Sequence, residues 1–290
     1  MSIKSQEKKK PVNAVHYSYA RRYTGPIKAV ICDWAGTTID YGSRAPIIAF
    51  LALFKSYDID VTEAQAREPM GTEKSVHIRR MLAMPDISEK WQKINGRPAT
   101  EEDVQTLYKE FLPLQLASIR NCGDLIPGWL ETVDELRGQG IKLGANTGYN
   151  TEMYAQVAEV ARNAGYEADA NVCATEVSQG RPYPYMAQAV MEKLGVLEAQ
   201  ACLKVDDTET GIEEGLNAGM WTVAVALSGN ANGLSHEQWS ALSADAQAAV
   251  AEKSRRQMAL SGAHCVIDSV ADLPAAIADI NAKLAAGVQP

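Results

Sequence analysis

The sequence lacks the long apolar run that a membrane span requires; its longest, Met220–Leu227, is no longer than a strand. Its five cysteines, Cys32, Cys122, Cys173, Cys202 and Cys265, are odd in number, far apart and form no CxxC pair. That excludes a secreted disulfide scaffold and reads as reduced thiols in the cytosol. Four histidines, His16, His77, His236 and His264, are equally scattered and outline no zinc site. Positive charge is in deficit, with 28 Lys+Arg against 36 Asp+Glu and a net charge of −8, so the chain as a whole is no electrostatic binder of nucleic acid. Residues 1–24 carry Lys8, Lys9, Lys10, Arg21 and Arg22 without the apolar core of a signal peptide, and are expected to form a polar tail.

What is present is an ordinary globular balance: 46% hydrophobic and 22% charged residues over 290 positions, enough for one large or two modest domains that need no disulfide. A short β-rich run, Ala29–Cys32, ends at Asp33 and a turn containing Gly36. An amphipathic stretch follows over about 45–57, and the region 61–122 reads as helices with capping signals at Thr62…Gln65 and Thr100…Asp103 and no strand. From Pro127 the pattern alternates. Helices near 128–138, 151–163, 184–194 and 212–218 lead to strands near 141–145, 171–174, 202–205 and 221–227. A last strand at Cys265–Ile267 precedes a helix over about 273–284. Such alternation implies right-handed crossovers and a mainly parallel sheet, with any ligand beyond the carboxyl ends of the strands. Those ends carry Asp33, Asn146-Thr147, Thr175-Glu176 and Asp206-Asp207.

An aspartate closing a strand can accept a phosphoryl group, and the turn after it can offer N–H groups to anionic oxygens. It can equally be a turn-initiating or capping residue, as can Asp206 and Asp207 ahead of the next helix. Jointly these carboxylates could serve Mg²⁺, which takes one or two carboxylates plus water and substrate oxygens.

The set Asp33-x-x-Gly36-Thr37-Thr38, Thr147-Gly148, Arg181-Pro182 and Asp206-Asp207 resembles the four motifs of the haloacid dehalogenase superfamily. Asp33–Thr38, Pro69-Met70-Gly71 with Lys74 and His77, Thr147-Gly148-Tyr149, Gly180–Pro184 and Asn217–Thr222 are similar, in order and spacing, to its phosphonatase family over about residues 27–284. The resemblance implies an α/β fold with a Rossmann-like, mainly parallel core (25–45 and 127–290) and an inserted helical cap domain (46–126). It implies hydrolysis of the C–P bond of phosphonoacetaldehyde in 2-aminoethylphosphonate degradation, Mg²⁺ as cofactor, a small phosphonate as substrate, a homodimer, and a cytoplasmic enzyme with neither nucleic acid nor membrane as partner.

The site residues follow from the same likeness: Asp33 as nucleophile, Lys74 as the amine that condenses with the aldehyde, and His77 as proton relay. Met70, Lys74 and His77 are spaced to share one face if their segment is helical. Arg181 would clamp the phosphonate, Thr147 donate to it, and Gly36, Thr37 and Gly148 allow close backbone approach. Met70 would pack beside the imine and Tyr149 position substrate or water. The metal would rest on Asp33, the Ala35 carbonyl and Asp207, with Asp206 or Glu209 in support. Position 35 is informative by its chemistry. Phosphatases of the superfamily place an acid there for the leaving oxygen, whereas Ala35 has no proton to give, which disfavours a sugar-phosphate phosphatase or phosphoglucomutase. Where the motif-four metal ligand is usually followed four residues on by another aspartate, this chain has Gly211.

Overall fold

The computed structural model describes residues 22–290; the expected tail over residues 1–24 lies outside them but for its last three residues. Six short strands, β1 (Ala29–Cys32), β2 (Lys142–Thr147), β3 (Ala170–Cys173), β4 (Cys202–Asp206), β5 (Trp221–Val225) and β6 (Cys265–Ile267), pair in parallel in the order β3-β2-β1-β4-β5-β6. Strands β1, β4 and β5 are buried along their whole length, as a parallel sheet with helical crossovers requires, and β1 and β5 are correspondingly rich in Val, Ile and Ala. The crossovers include α6 (Trp129–Gly138), α7 (Thr151–Asn163), α8 (Tyr185–Lys193) and α9 (Glu209–Asn217), and α10 (His236–Ser240), α11 (Ala244–Ala259) and α12 (Leu273–Ala285) complete the chain.

Of the expected boundaries that move, two bear on the site. β2 continues to Thr147, so Asn146 and Thr147 belong to the strand instead of following it. α9 begins at Glu209, earlier than its apolar periodicity indicated, because the Thr208 hydroxyl accepts the Gly211 N–H and caps the first turn.

Between β1 and β2 the chain makes α1 (Arg44–Ser56), α2 (Glu63–Arg67), α3 (Lys74–Ala83), α4 (Pro85–Asn95) and α5 (Glu101–Cys122), with no strand among the described residues of this insertion. Both expected capping boxes form, Thr62 with Gln65 ahead of α2 and Thr100 with Asp103 ahead of α5. Phe50 of α1 lies between His77 of α3 (centroids 3.9 Å apart) and Phe111 of α5 (4.4 Å), knitting the insertion into one apolar core. All five cysteines are free, and among the described residues no helix is long and apolar enough to cross a membrane.

The strand order reverses at β1, whose neighbours are β2 on one side and β4 on the other. Crossovers depart in opposite directions there and leave a crevice at the carboxyl ends of β1, β2 and β4.

Candidate active site

The register of β1 on β4 brings two carboxylates together: Asp33 follows β1, its N–H donating to the Val205 carbonyl (3.0 Å), and Asp206 ends β4. Arg181, ahead of α8, reaches over both. Its Nη2 donates to Asp33 Oδ1 (2.7 Å) and Asn146 Oδ1 (2.7 Å), its Nε to Glu214 Oε2 (3.1 Å), and it pairs with Asp206 at 3.2 Å. Beside it Lys204, wholly buried in β4, donates to Asn146 Oδ1 and Asp206 Oδ2, both at 2.8 Å. Glu214 of α9 completes the network by accepting from Asn146 Nδ2 (3.0 Å) and the Ala187 N–H (3.1 Å). An unpaired charge at this depth would cost several kcal/mol, which is why each of these groups is tied to an opposite charge.

Asp207 is different. Its Oδ1 accepts from the Thr37 hydroxyl (3.3 Å) and its Oδ2 from the Asn230 N–H (2.7 Å), but among the described residues it has no ion pair. Burial, then repulsion from Asp33 and Asp206, pushes its carboxyl well above the ordinary range. Burial likewise raises Asp33, more than Arg181 draws it down. In Asp206 burial is outweighed by Arg181 and Lys204, which hold it low. Oxygens of Asp33, Asp206 and Asp207 lie within 4.8 Å of one another. With Glu214 they make four buried carboxylates against Arg181 and Lys204, so two negative charges remain over, and a divalent cation bound by hard oxygens fits that deficit. Asp206 is already taken by Lys204, Arg181 and Thr208, leaving Asp33 and Asp207 as the carboxylates with oxygens to offer a metal.

Above the strand ends lies a tight pocket of about 20 Å³, room in this arrangement for about one water-sized group. Asp33, Ala35, Thr147, Gly148, Tyr149 and Arg181 line it from below, and Met70, Gly71 and Lys74 from the insertion. The Lys74 side chain is buried with Nζ 5.7 Å from the centre of the Phe50 ring and 5.2 Å from that of Tyr149, and makes no hydrogen bond among the described residues. Burial lowers its pKa to about 8 against the pull of Asp33 and Glu73. Its place as first residue of α3, at the positive end of the helix dipole, works in the same direction.

A haloacid dehalogenase-like hydrolase model matches residues 27–219. The chain is 51% identical to a phosphonoacetaldehyde hydrolase of Hahella chejuensis over 94% of its own length and 93% of that protein's. A crystal structure of a phosphonoacetaldehyde hydrolase-like protein from Oleispira antarctica, 50% identical, superposes with a TM-score of 0.93 over 95% of this chain and all of the other. This chain belongs to the phosphonoacetaldehyde hydrolase family of haloacid dehalogenase-like hydrolases. A β-phosphoglucomutase from Clostridium difficile, 19% identical with a TM-score of 0.65 over 89% of this chain and 98% of its own, shares the fold.

Within that family frame the expected residues fall into two groups. Asp33, Ala35, Met70, Lys74, Thr147, Gly148, Tyr149 and Arg181 meet around the pocket. Gly36 and Thr37 do not: both contact Asp207, and a Cβ on Gly36, whose φ is +87°, would overlap the Asp207 carboxylate. Gly148 makes room for backbone, since a Cβ there would stand 2.7 Å from the Thr72 carbonyl. Met70, Lys74 and His77 do not share a helical face, because α3 starts only at Lys74. Gly71, at φ +86°, turns the chain, and Met70 reaches the pocket from that turn.

His77 lies off the pocket wall. Its Nε2 donates to the Ala66 carbonyl (2.9 Å), Nδ1 has no partner among the described residues, and burial followed by the charge of Lys74 holds its pKa well below the ordinary value. Tyr149 turns its hydroxyl toward Gln115 (3.3 Å) and its ring toward Lys74. Arg181 has most of its fork engaged by protein acceptors; Nη1 makes only a long bond to the Gly71 carbonyl (3.4 Å) among the described residues. Glu209 is exposed, so of the two expected supporting carboxylates only Asp206 is buried beside Asp33 and Asp207.

Gly211 departs from the superfamily pattern for a steric reason: a Cβ there would overlap the Asp206 carboxylate. Gly211→Ala is expected to destabilise the fold by about 1–3 kcal/mol through overpacking, read as a lower melting temperature. An unchanged melting temperature would show that Asp206 has room to move.

Sequence reasoning missed Lys204, Glu214 and Ser43. Ser43 precedes α1 in the left-handed region (φ 49°) without a side-chain bond to its helix and lines the pocket, while Asp40 accepts the Arg44 and Ala45 N–H groups instead.

Proposed function

We propose that this chain hydrolyses phosphonoacetaldehyde to acetaldehyde and phosphate, with residues 46–126 acting as a cap over the 25–45 and 127–290 core. One observation carries the reading. A buried amine of lowered pKa, Lys74, and a buried carboxylate, Asp33, line one small pocket, and no acid stands at position 35 to protonate a leaving oxygen. That combination suits a carbon leaving group.

Lys74 Nζ adds to the aldehyde carbon and water departs, giving an iminium. Asp33 Oδ then attacks phosphorus. The P–O bond forms, the C–P bond breaks, and its electron pair moves into the iminium to make an enamine. Protonation at carbon regenerates an imine, water hydrolyses the aspartyl phosphate, and a second water frees acetaldehyde and Lys74. Thr147, whose oxygen accepts the Tyr149 N–H (3.2 Å), keeps its own proton to donate to a phosphoryl oxygen. Arg181 holds Asp33 aligned and adds positive charge at the pocket floor. Mg²⁺ held by Asp33, the Ala35 carbonyl and Asp207 would supply further charge against a dianionic phosphonate. A homodimer and a cytoplasmic location, supported by likeness to the family, belong to the same reading.

The direct test is phosphate release from phosphonoacetaldehyde with and without Mg²⁺. Metal-dependent release is expected, and release only from sugar phosphates would transfer the chain to the phosphatase reading. The pH profile is a second test. Imine formation needs the free amine, whose fraction rises with pH, so kcat/KM should climb about tenfold per pH unit below about 8 and level off above it. A flat profile below pH 8 would remove Lys74 as the nucleophilic amine.

A further inference from the structure

Arg67, the last residue of α2, is bound to the core more heavily than any surface role requires. Its Nη1 donates to the Gly42 carbonyl and to Asn230 Oδ1, both at 2.9 Å, and its Nη2 to the Gly233 carbonyl at 3.0 Å. Asn230 Nδ2 points back to the Arg67 carbonyl (3.4 Å), while the Asn230 N–H donates to Asp207 Oδ2 at 2.7 Å. One residue thus joins the insertion to a carboxylate that the metal would use. The segment is shaped for both contacts. A Cβ on Gly229 would overlap Asp207, and one on Gly233 would press on Arg67 Nε at 2.9 Å.

We propose that Arg67 and Asn230 are positioning residues that couple closure of the cap to the cation affinity of Asp207. The inference rests on the proposed reading in which the insertion is a cap that opens for substrate. Closed, Arg67 fixes Asn230, and Asn230 fixes the Asp207 oxygen at its metal-binding orientation. Open, the 228–233 segment loses its guanidinium tie, and its hold on Asp207 Oδ2 loosens while Thr37 still bonds Oδ1. By linkage the coupling runs both ways, so a bound cation favours the closed cap to the same degree.

The test titrates the full-length apo chain with Mn²⁺ alone and follows the free-ion electron paramagnetic resonance signal, so it needs no substrate. Arg67→Met and Asn230→Ala are each expected to weaken Mn²⁺ binding about tenfold, within the usual range of coupling between sites. Asn230→Ala keeps the backbone N–H on Asp207 and loses only the tie to Arg67. The double variant should bind no more weakly than either single one, because both changes cut the same link. Arg67→Lys, which keeps the charge without the fork, should fall between wild type and Arg67→Met.

Unchanged Mn²⁺ affinity, or losses that add in the double variant, would overturn the coupling. Apo melting temperatures establish which variants fold. If Arg67→Met does not, Asn230→Ala decides alone, a tenfold loss supporting the link and no loss ending it. Normal C–P cleavage with unchanged Mn²⁺ affinity would sink the coupling and leave the proposed function standing. Absence of C–P cleavage with the expected Mn²⁺ losses would do the reverse.

Discussion

Lys74→Met is expected to stop phosphate release from phosphonoacetaldehyde, a loss of about 10⁴-fold or more, of the size seen when a covalent nucleophile is removed. The physical reason lies in the electrons of the C–P bond. With an oxygen leaving group a proton suffices to receive them, and position 35 would supply it. Here that position is alanine, and the pair must go to carbon, where only a conjugated cation lowers its energy. Methionine fills a similar volume and carries no charge into the space beside the Phe50 and Tyr149 rings, so the fold should survive and even gain, since a buried ammonium is costly to keep. Lys74→Arg is the companion: it keeps the charge but has no free amine to condense. Borohydride in the presence of substrate should tether a two-carbon adduct to the wild-type chain and to neither variant. Phosphate release at more than a tenth of the wild-type rate from Lys74→Met would end the imine mechanism.

That central pair is legible in the amino-acid sequence because its chemistry is local. An aspartate at a strand end and a lysine at fixed spacing in a helical insertion are properties of short segments, and the capping boxes at Thr62 and Thr100 are too. The residues that hold Arg181 against Asp33 are not. Lys204 and Glu214 are charged residues in a strand and a helix, and such residues are ordinarily solvated. Only the tertiary fold shows that both are wholly buried and face each other across Asn146, Arg181 and Asp206. The glycines illustrate the same limit. By sequence Gly36 and Gly148 read as space for a phosphoryl group, and the space they leave is taken by Asp207 and by the Thr72 carbonyl. Sequence marks where backbone must come close; it does not say to what. Ser43 escapes for a related reason, since a serine ahead of a helix reads as its cap. Here Asp40 takes over that function at the cost of two residues in the left-handed region, Asp40 (φ 56°) and Ser43 (φ 49°).

Asp33→Asn should divide the reaction into its halves. Asparagine cannot form an acyl phosphate, so phosphate release is expected to fall by about 10⁵-fold, in the range for loss of a nucleophile. Arg181 keeps Asp206 and Glu214 as partners, so the network beneath the pocket should stand, and the melting temperature should change little. Lys74 is untouched, and borohydride trapping of the substrate should persist. The direction of its pH dependence is a finer check. Asp33 is the largest electrostatic influence favouring the Lys74 ammonium, opposing the burial that lowers its pKa to about 8. Removing that carboxylate's charge leaves burial less opposed, so the Lys74 pKa falls further and more of the amine is free at any given pH below it. Trapping in Asp33→Asn should therefore extend to lower pH than in the wild type. A shift toward higher pH, or loss of trapping together with loss of phosphate release, would mean that the carboxylate takes part in forming the imine and that the two halves of the reaction are not separable at this residue.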